Sequence, residues 1–184
     1  MIPHGPWKIK ETDDVYQDRF IKVRLDQVIR PDGKDGQHVV VDIKPGVCVL
    51  AMDDEKNVYL TSEFHYGVGR YSLEAVSGGI EPGEDPDLTA QRELQEEIGL
   101  EAAHWEHVAT VDPFTTIVVS PTRLYIVSGL TSVAKDPEGT EQIETVVMPL
   151  DEAVAKVNNG EITHAPTCVI ILQAKLRELS ARET

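Results

Sequence analysis

The chain has 184 residues, room for one domain with a buried core and a small appendage but not for a second catalytic domain. Its 17 Lys and Arg face 32 Asp and Glu, a formal charge of −15 that argues against broad binding to nucleic acid or to an anionic membrane, and no local basic patch offsets it. No apolar run approaches the roughly 20 residues of a membrane span, no basic-then-apolar signal region opens the chain, and Cys48 and Cys168 lack zinc-type spacing, so free thiols in a reducing cytoplasm are expected.

Residues 1–45 alternate as strands do, most clearly over 20–28 and 38–43 on either side of the turn signal at 31–36, and predict an N-terminal antiparallel β-hairpin region. Its apolar face needs a partner, either the rest of the chain or a second subunit. Trp7 and Tyr16 suit packing or stacking on a nucleobase. Residues 46–52 and 57–61 predict a strand pair about the polar turn at 53–56, and 63–78 a loop and short strand carrying His65, Arg70 and Glu74. His65, beside aromatic residues, suits packing better than ligation. Arg70 suits a phosphate contact or a pairing with a surface acid. Further strands are expected over 105–111, 116–119, 123–127 and 144–149, with a polar loop at 131–142. Helices are expected over 150–157 and 167–179. Strands with flanking helices over 46–184 predict an α/β domain, a sandwich on a mixed sheet.

The most informative stretch runs from Gly78 to Leu100. Asp85 suits an N-cap, Pro86 the first helical position and Gly99 a left-handed stop, which predicts a helix over 86–98. At about 100° per residue, Ala90, Leu94 and Ile98 form an apolar stripe, and Glu93, Glu96 and Glu97 gather on the adjoining face. Like charges at this spacing oppose a helix by roughly 0.2–0.5 kcal/mol per pair, and they sit toward the C-terminus, where the dipole also disfavours them. A bound cation reverses both effects. Oxygen-only ligands select hard ions, Mg²⁺ first and Mn²⁺ second.

Gly78, Glu84, Arg92, Glu93, Leu94, Glu96, Glu97, Gly99 and Leu100 match G-x5-E-x7-R-E-U-x-E-E-x-G-U, with U a bulky aliphatic, at every position. Seven fixed identities at a background of about 7% each give a chance match of roughly one in 10⁸ per start, which disposes of coincidence. The stretch resembles the signature of the Nudix hydrolases. The resemblance extends along the chain, most closely to the ADP-ribose and ADP-sugar pyrophosphatases, through the 73–84 segment and the pattern Gly160-Glu-Ile-Thr-His-Ala-Pro-Thr167.

The resemblance implies an α/β/α sandwich that hydrolyses a nucleoside diphosphate linked to another moiety, with Mg²⁺ or Mn²⁺. It implies Glu93 and Glu97 as main metal ligands, Glu96 as a further one, and the Ser77 carbonyl as a backbone ligand. Glu84 and Arg92 orient those carboxylates. Apart from the resemblance, Arg70 and Glu74, delivered near the acidic helix by the segment before it, are expected with Gly78 and Gly79 to line the substrate. The general base is expected on the loop before the last strand, at Glu141, with Glu144 and Glu138 as alternatives. A homodimer paired through the N-terminal strands is expected as well. Two departures bear on substrate: Glu63-Phe64-His65 stands where that branch commonly has Gln-Tyr-Arg, and Phe114-Thr115-Thr116 where it has Ser-Pro-Gly. Hydrolysis of nucleoside triphosphates or dinucleoside polyphosphates, and non-catalytic sensing of a nucleotide sugar, are the competing readings.

Overall fold

The computed structural model describes residues 1–135 and 142–182. Fifteen elements follow in chain order: β1 (Ile2–His4), β2 (Trp7–Gln17), β3 (Ile21–Ile29), β4 (Asp35–Ile43), β5 (Gly46–Met52), β6 (Asn57–His65), β7 (Arg70–Glu74), β8 (Val76–Gly79), α1 (Pro86–Ile98), β9 (Leu100–Val111), β10 (Val118–Val119), β11 (Thr122–Ser132), β12 (Glu144–Pro149), α2 (Leu150–Asn158) and α3 (Ala165–Arg182).

The chain divides into two units, Met1–Pro45 with Asp112–Pro121, and Gly46–Val111 with Thr122–Thr184. The first unit holds more than the hairpin expected over 20–43. The β1–β2 pair extends it to an antiparallel β1-β2-β3-β4 sheet, and β10 adds in parallel on the outer edge of β4. Phe114, Thr115 and Thr116 belong to this unit too, in the segment leading to β10.

In the second unit the described strands run β12-β6-β5-β11-β9, with β11 parallel to β5 and antiparallel to β9. Side chains of β5 alternate between two cores. Val47, Val49 and Ala51 pack with Ala90, Leu94 and Ile98 of α1, while Cys48 and Leu50 pack with Ile170, Ile171 and Ala174 of α3. A central strand buried on both faces reads as a continuous apolar run, which is the composition of β5. Helices cover both faces of a mixed sheet, so the unit is an α/β/α sandwich.

The sheet has a split that positions everything downstream. The hairpin strands β5 and β6 pair only beside their turn, at Ala51–Tyr59 and Met52–Val58. Beyond it they part, and the 70–79 stretch fills the wedge, β7 pairing with β6 and β8 with β5. Ala75, fully buried, lies between the two short strands. An unpaired buried N–H costs about 1–3 kcal/mol. The Ala75 N–H instead donates to Thr167 Oγ1 at 2.9 Å.

Helix α1 begins and ends at the residues its caps dictate. The Asp85 carboxylate accepts from the Asp87 N–H, at 2.8 Å, and from the Leu88 N–H. Gly99 takes φ 67° and closes the helix with its N–H on Gln95 O, at 2.9 Å. A Cβ there would stand 2.7 Å from the Lys135 side chain and 3.0 Å from Val133 O, so glycine is required by space as well as by conformation. Asp85→Ala is expected to lower stability by about 1 kcal/mol, a fall in Tm of roughly 2–4 °C, measurable by calorimetry.

Candidate active site

The acidic face of α1 lies against β8. A Cβ built on Gly78 would stand 2.1 Å from Cδ and Oε1 of Glu93, so this glutamate occupies the space a side chain at 78 would take. Ala90, Leu94 and Ile98 hold the helix down by burying their side chains, and Glu97, next to that stripe, is only 9% exposed. Burial of a carboxylate is unfavourable unless it is hydrogen-bonded or offset by positive charge.

Arg92 supplies much of that charge to its neighbours. Its Nε donates to Glu84 Oε1 at 3.1 Å, and one terminal nitrogen lies 2.9 Å from Glu93 Oε1 and 2.8 Å from Glu96 Oε2. Burial works against the guanidinium charge, but Glu84, Glu93 and Glu96 outweigh it and push its pKa above the usual range. Glu84 is anchored in turn. Its Oε2 accepts from the Glu81 N–H at 3.0 Å, and first that bond and then Arg92 hold its carboxyl below the ordinary value of 4.5.

This donor set suits a hard divalent ion by its chemistry, since every side-chain donor is an oxygen and Gly78 leaves open the ground on which Glu93 rests. Glu93 and Glu96 are engaged with Arg92, and among the described residues no three His, Cys, Asp or Glu side chains converge on one point as a closed metal cage. In this arrangement Arg92 holds the Glu93 and Glu96 carboxylates.

Ser77 and Gly79 flank Gly78 on β8, where Cys48 and Gly46 of β5 are their register partners. Desolvation pushes the Cys48 thiol up to about 12, so it stays protonated at neutral pH and is no nucleophile. Both cysteines are free.

Glu74 and Arg70 sit on β7, apart from the Arg92 network. Glu74 Oε1 lies 3.1 Å from His65 Nε2, and its Oε2 lies 3.2 Å from His164 Nδ1. His164 Nδ1 is also 2.8 Å from Thr167 Oγ1, and burial holds His164 below its ordinary value against the pull of Glu74. Arg70 donates to Thr163 Oγ1 at 2.8 Å. Thr163, His164 and Thr167 thus join Arg70 and Glu74 here, three residues not among those expected from the sequence. The available signal was the 160–167 pattern, which places a His and a Thr three residues apart at the start of a helix. Of the three candidate bases, Glu138 and Glu141 lie outside the described residues, and Glu144 is exposed at the first position of β12.

A NUDIX domain profile matches residues 42–167, more than half the chain, and a nucleoside diphosphate sugar hydrolase N-terminal domain profile matches residues 7–41. The protein belongs to the Nudix family and is a hydrolase. It is 31% identical over 158 residues to an ADP-ribose pyrophosphatase of Mycobacterium tuberculosis, covering 84% of this chain and 76% of that one. It is 32% identical over 159 residues to a CMP-5'-(N-acetyl-N-hydroxy-3-aminopropyl)phosphonate hydrolase of Streptomyces rubellomurinus, covering 86% and 77%. A solved structure described as an ADP compounds hydrolase shares the fold at a TM-score of 0.79 and 19% identity, over 96% of this chain and 95% of that one. Nudix hydrolases generally use divalent metal ions, in keeping with the oxygen donors of α1.

Gly78→Ala is expected to leave stability within about 1 kcal/mol of wild type, because the atoms in its way belong to the outer part of the Glu93 side chain and not to backbone. Activity should fall at least tenfold as Glu93 is displaced; a thermal melt with a steady-state assay separates the two. The Glu84 network sets an acid limit. A carboxyl with a depressed folded pKa stabilises above its unfolded value near 4.5 and loses that contribution as pH falls through the folded value. Acid unfolding profiles of wild type and Glu84→Gln should therefore converge below that range and diverge above it, with wild type the more stable.

Proposed function

We propose that the protein hydrolyses the diphosphate bond of ADP-ribose or a related nucleoside diphosphate sugar, with Mg²⁺, giving two phosphomonoesters. The observation that carries this reading is the unbroken spacing from Gly78 to Leu100 placed on a helix whose Glu93 abuts the bare backbone of β8. Glu93, Glu96, Glu97 and the Ser77 carbonyl would hold the ion. When bound, it supplies positive charge against the diphosphate and polarises phosphorus toward attack.

The chain's own residues do the rest. Arg92 keeps Glu93 and Glu96 oriented, tied in its turn to Glu84. Arg70, at the exposed start of β7, takes phosphate oxygens, and Gly78 and Gly79 let substrate approach the backbone. Glu141 accepts the proton of the attacking water, with Glu144 and Glu138 as the other acids of that region. Glu74, expected from its place in the chain among the substrate-lining residues, supports the wedge through His65 and His164. We place the protein in the cytoplasm as a homodimer. Exposed Val15, Tyr16, Phe20, Val39 and Ile43 support pairing through the N-terminal unit.

A CMP-linked substrate is the second reading. A relative named for a CMP phosphonate stands at the same level of identity as the ADP-ribose pyrophosphatase, so kinship by itself does not select the base. The test is a panel of ADP-ribose, ADP-glucose, CDP- and CMP-linked compounds, ATP and diadenosine polyphosphates with Mg²⁺. AMP plus a sugar phosphate is the expected product. Inorganic phosphate or pyrophosphate from ATP would assign the enzyme to triphosphates instead. Glu97→Gln should reduce turnover by at least ~100-fold, about 2.7 kcal/mol of transition-state stabilisation, with an unaltered melt. Undiminished activity in that variant would remove the assignment.

A further inference from the structure

We infer that Thr167 is a positioning residue for this hydrolysis: its hydroxyl fixes the break between β7 and β8, and thereby the seat of Ser77, Gly78 and Gly79 beneath Glu93. The inference rests on the reading that this segment and α1 flank the diphosphate.

Ala75 belongs to neither short strand. The β6–β7 ladder ends at Thr61–Glu74 and the β5–β8 ladder starts at Val49–Val76, so Ala75 falls between the two ladders. Both its polar groups are held by hydroxyls. The N–H donates to Thr167 Oγ1 at 2.9 Å across 92 residues of chain, and the carbonyl accepts from Ser77 Oγ at 2.8 Å.

Thr167 is itself locked. It is fully buried in the first turn of α3, with His164 Nδ1 at 2.8 Å and Cys48 Sγ at 4.0 Å, and His164 reaches on to Glu74 at 3.2 Å. Ile170, Ile171 and Ala174 supply the helix's grip on the core, so the hydroxyl is not needed to keep α3 in place. What it holds is the backbone two residues ahead of Ser77. There the tolerance is small, because a Cβ on Gly78 already falls 2.1 Å from Glu93. A shift of about 1 Å in a group that orients the reacting atoms can reduce rate by roughly 10²-fold.

The test compares Thr167→Val, which keeps the shape and removes the acceptor, with Thr167→Ser, which keeps the acceptor. Two readouts are taken: amide hydrogen exchange of the metal-free protein, and kcat and KM for ADP-ribose with Mg²⁺. In the valine variant, exchange over residues 75–79 should rise about tenfold, while β5 and α1 keep wild-type protection. Its kcat should fall at least tenfold with KM within about twofold of wild type, and serine should restore both. Wild-type exchange and kcat in the valine variant would overturn the inference. So would exchange raised evenly over the whole second unit, which marks plain destabilisation. Should the valine protein not accumulate folded, Thr167→Ala carries the same comparison. A wild type that cleaves no diphosphate would end the functional reading, and the exchange arm would still decide whether Thr167 fixes this segment.

Discussion

Glu93 can lie on β8 because residue 78 has no side chain, and the rest of the site follows from that close approach. The helix is pressed to the sheet by Ala90, Leu94 and Ile98, which sets Glu93 against β8 and gathers Glu84, Glu93 and Glu96 about one guanidinium. Such a cluster is intolerable without compensation. Arg92 provides part of it from within the chain, engaging Glu84, Glu93 and Glu96 together. A planar guanidinium with donors on several sides suits this better than a lysine, whose charge is a single point.

The sheet contributes by failing to close. If β5 and β6 paired along their whole length, β8 would have no edge of β5 to join beneath α1. Their separation admits β7 and β8, and the two hydroxyls on Ala75 compensate for hydrogen bonds that neither ladder supplies. Polar side chains inside the unit, Thr167 and Glu97 among them, are thus tied to the irregular stretch of the sheet and to its acidic helix, and regular strands around them are lined with Val, Leu and Ile.

Elements whose limits depend on local chemistry were legible in the sequence. Helix α1 runs over the predicted residues because Asp85 and Gly99 determine both ends through bonds no more than five residues long. The apolar stripe on α1 and the two-faced burial of β5 were equally readable, as patterns of period 3.6 and as an unbroken apolar run. Strands whose partners are remote were less so. β9 starts at Leu100, five residues earlier than its pattern suggests, because its early residues are paired by Ser132, Thr131 and Leu130 of β11. β10 is reduced to Val118–Val119, the two residues in ladder register with β4. The Glu74–His164–Thr167 contacts join residues about ninety positions apart, and no local signal encodes that distance. Glu141 lies outside the described residues.

The excursion of residues 112–121 into the first unit has a consequence for synthesis. As the chain leaves the ribosome, the first 45 residues emerge with the outer edge of β4 still open, and it stays open until Val118 and Val119 arrive some seventy residues later. An uncovered edge of that kind invites pairing with a neighbouring nascent chain. The segment profiled as a separate N-terminal module is therefore not self-contained: transplanted alone it would lack its last strand, and its removal would strand a ten-residue loop with nothing to join.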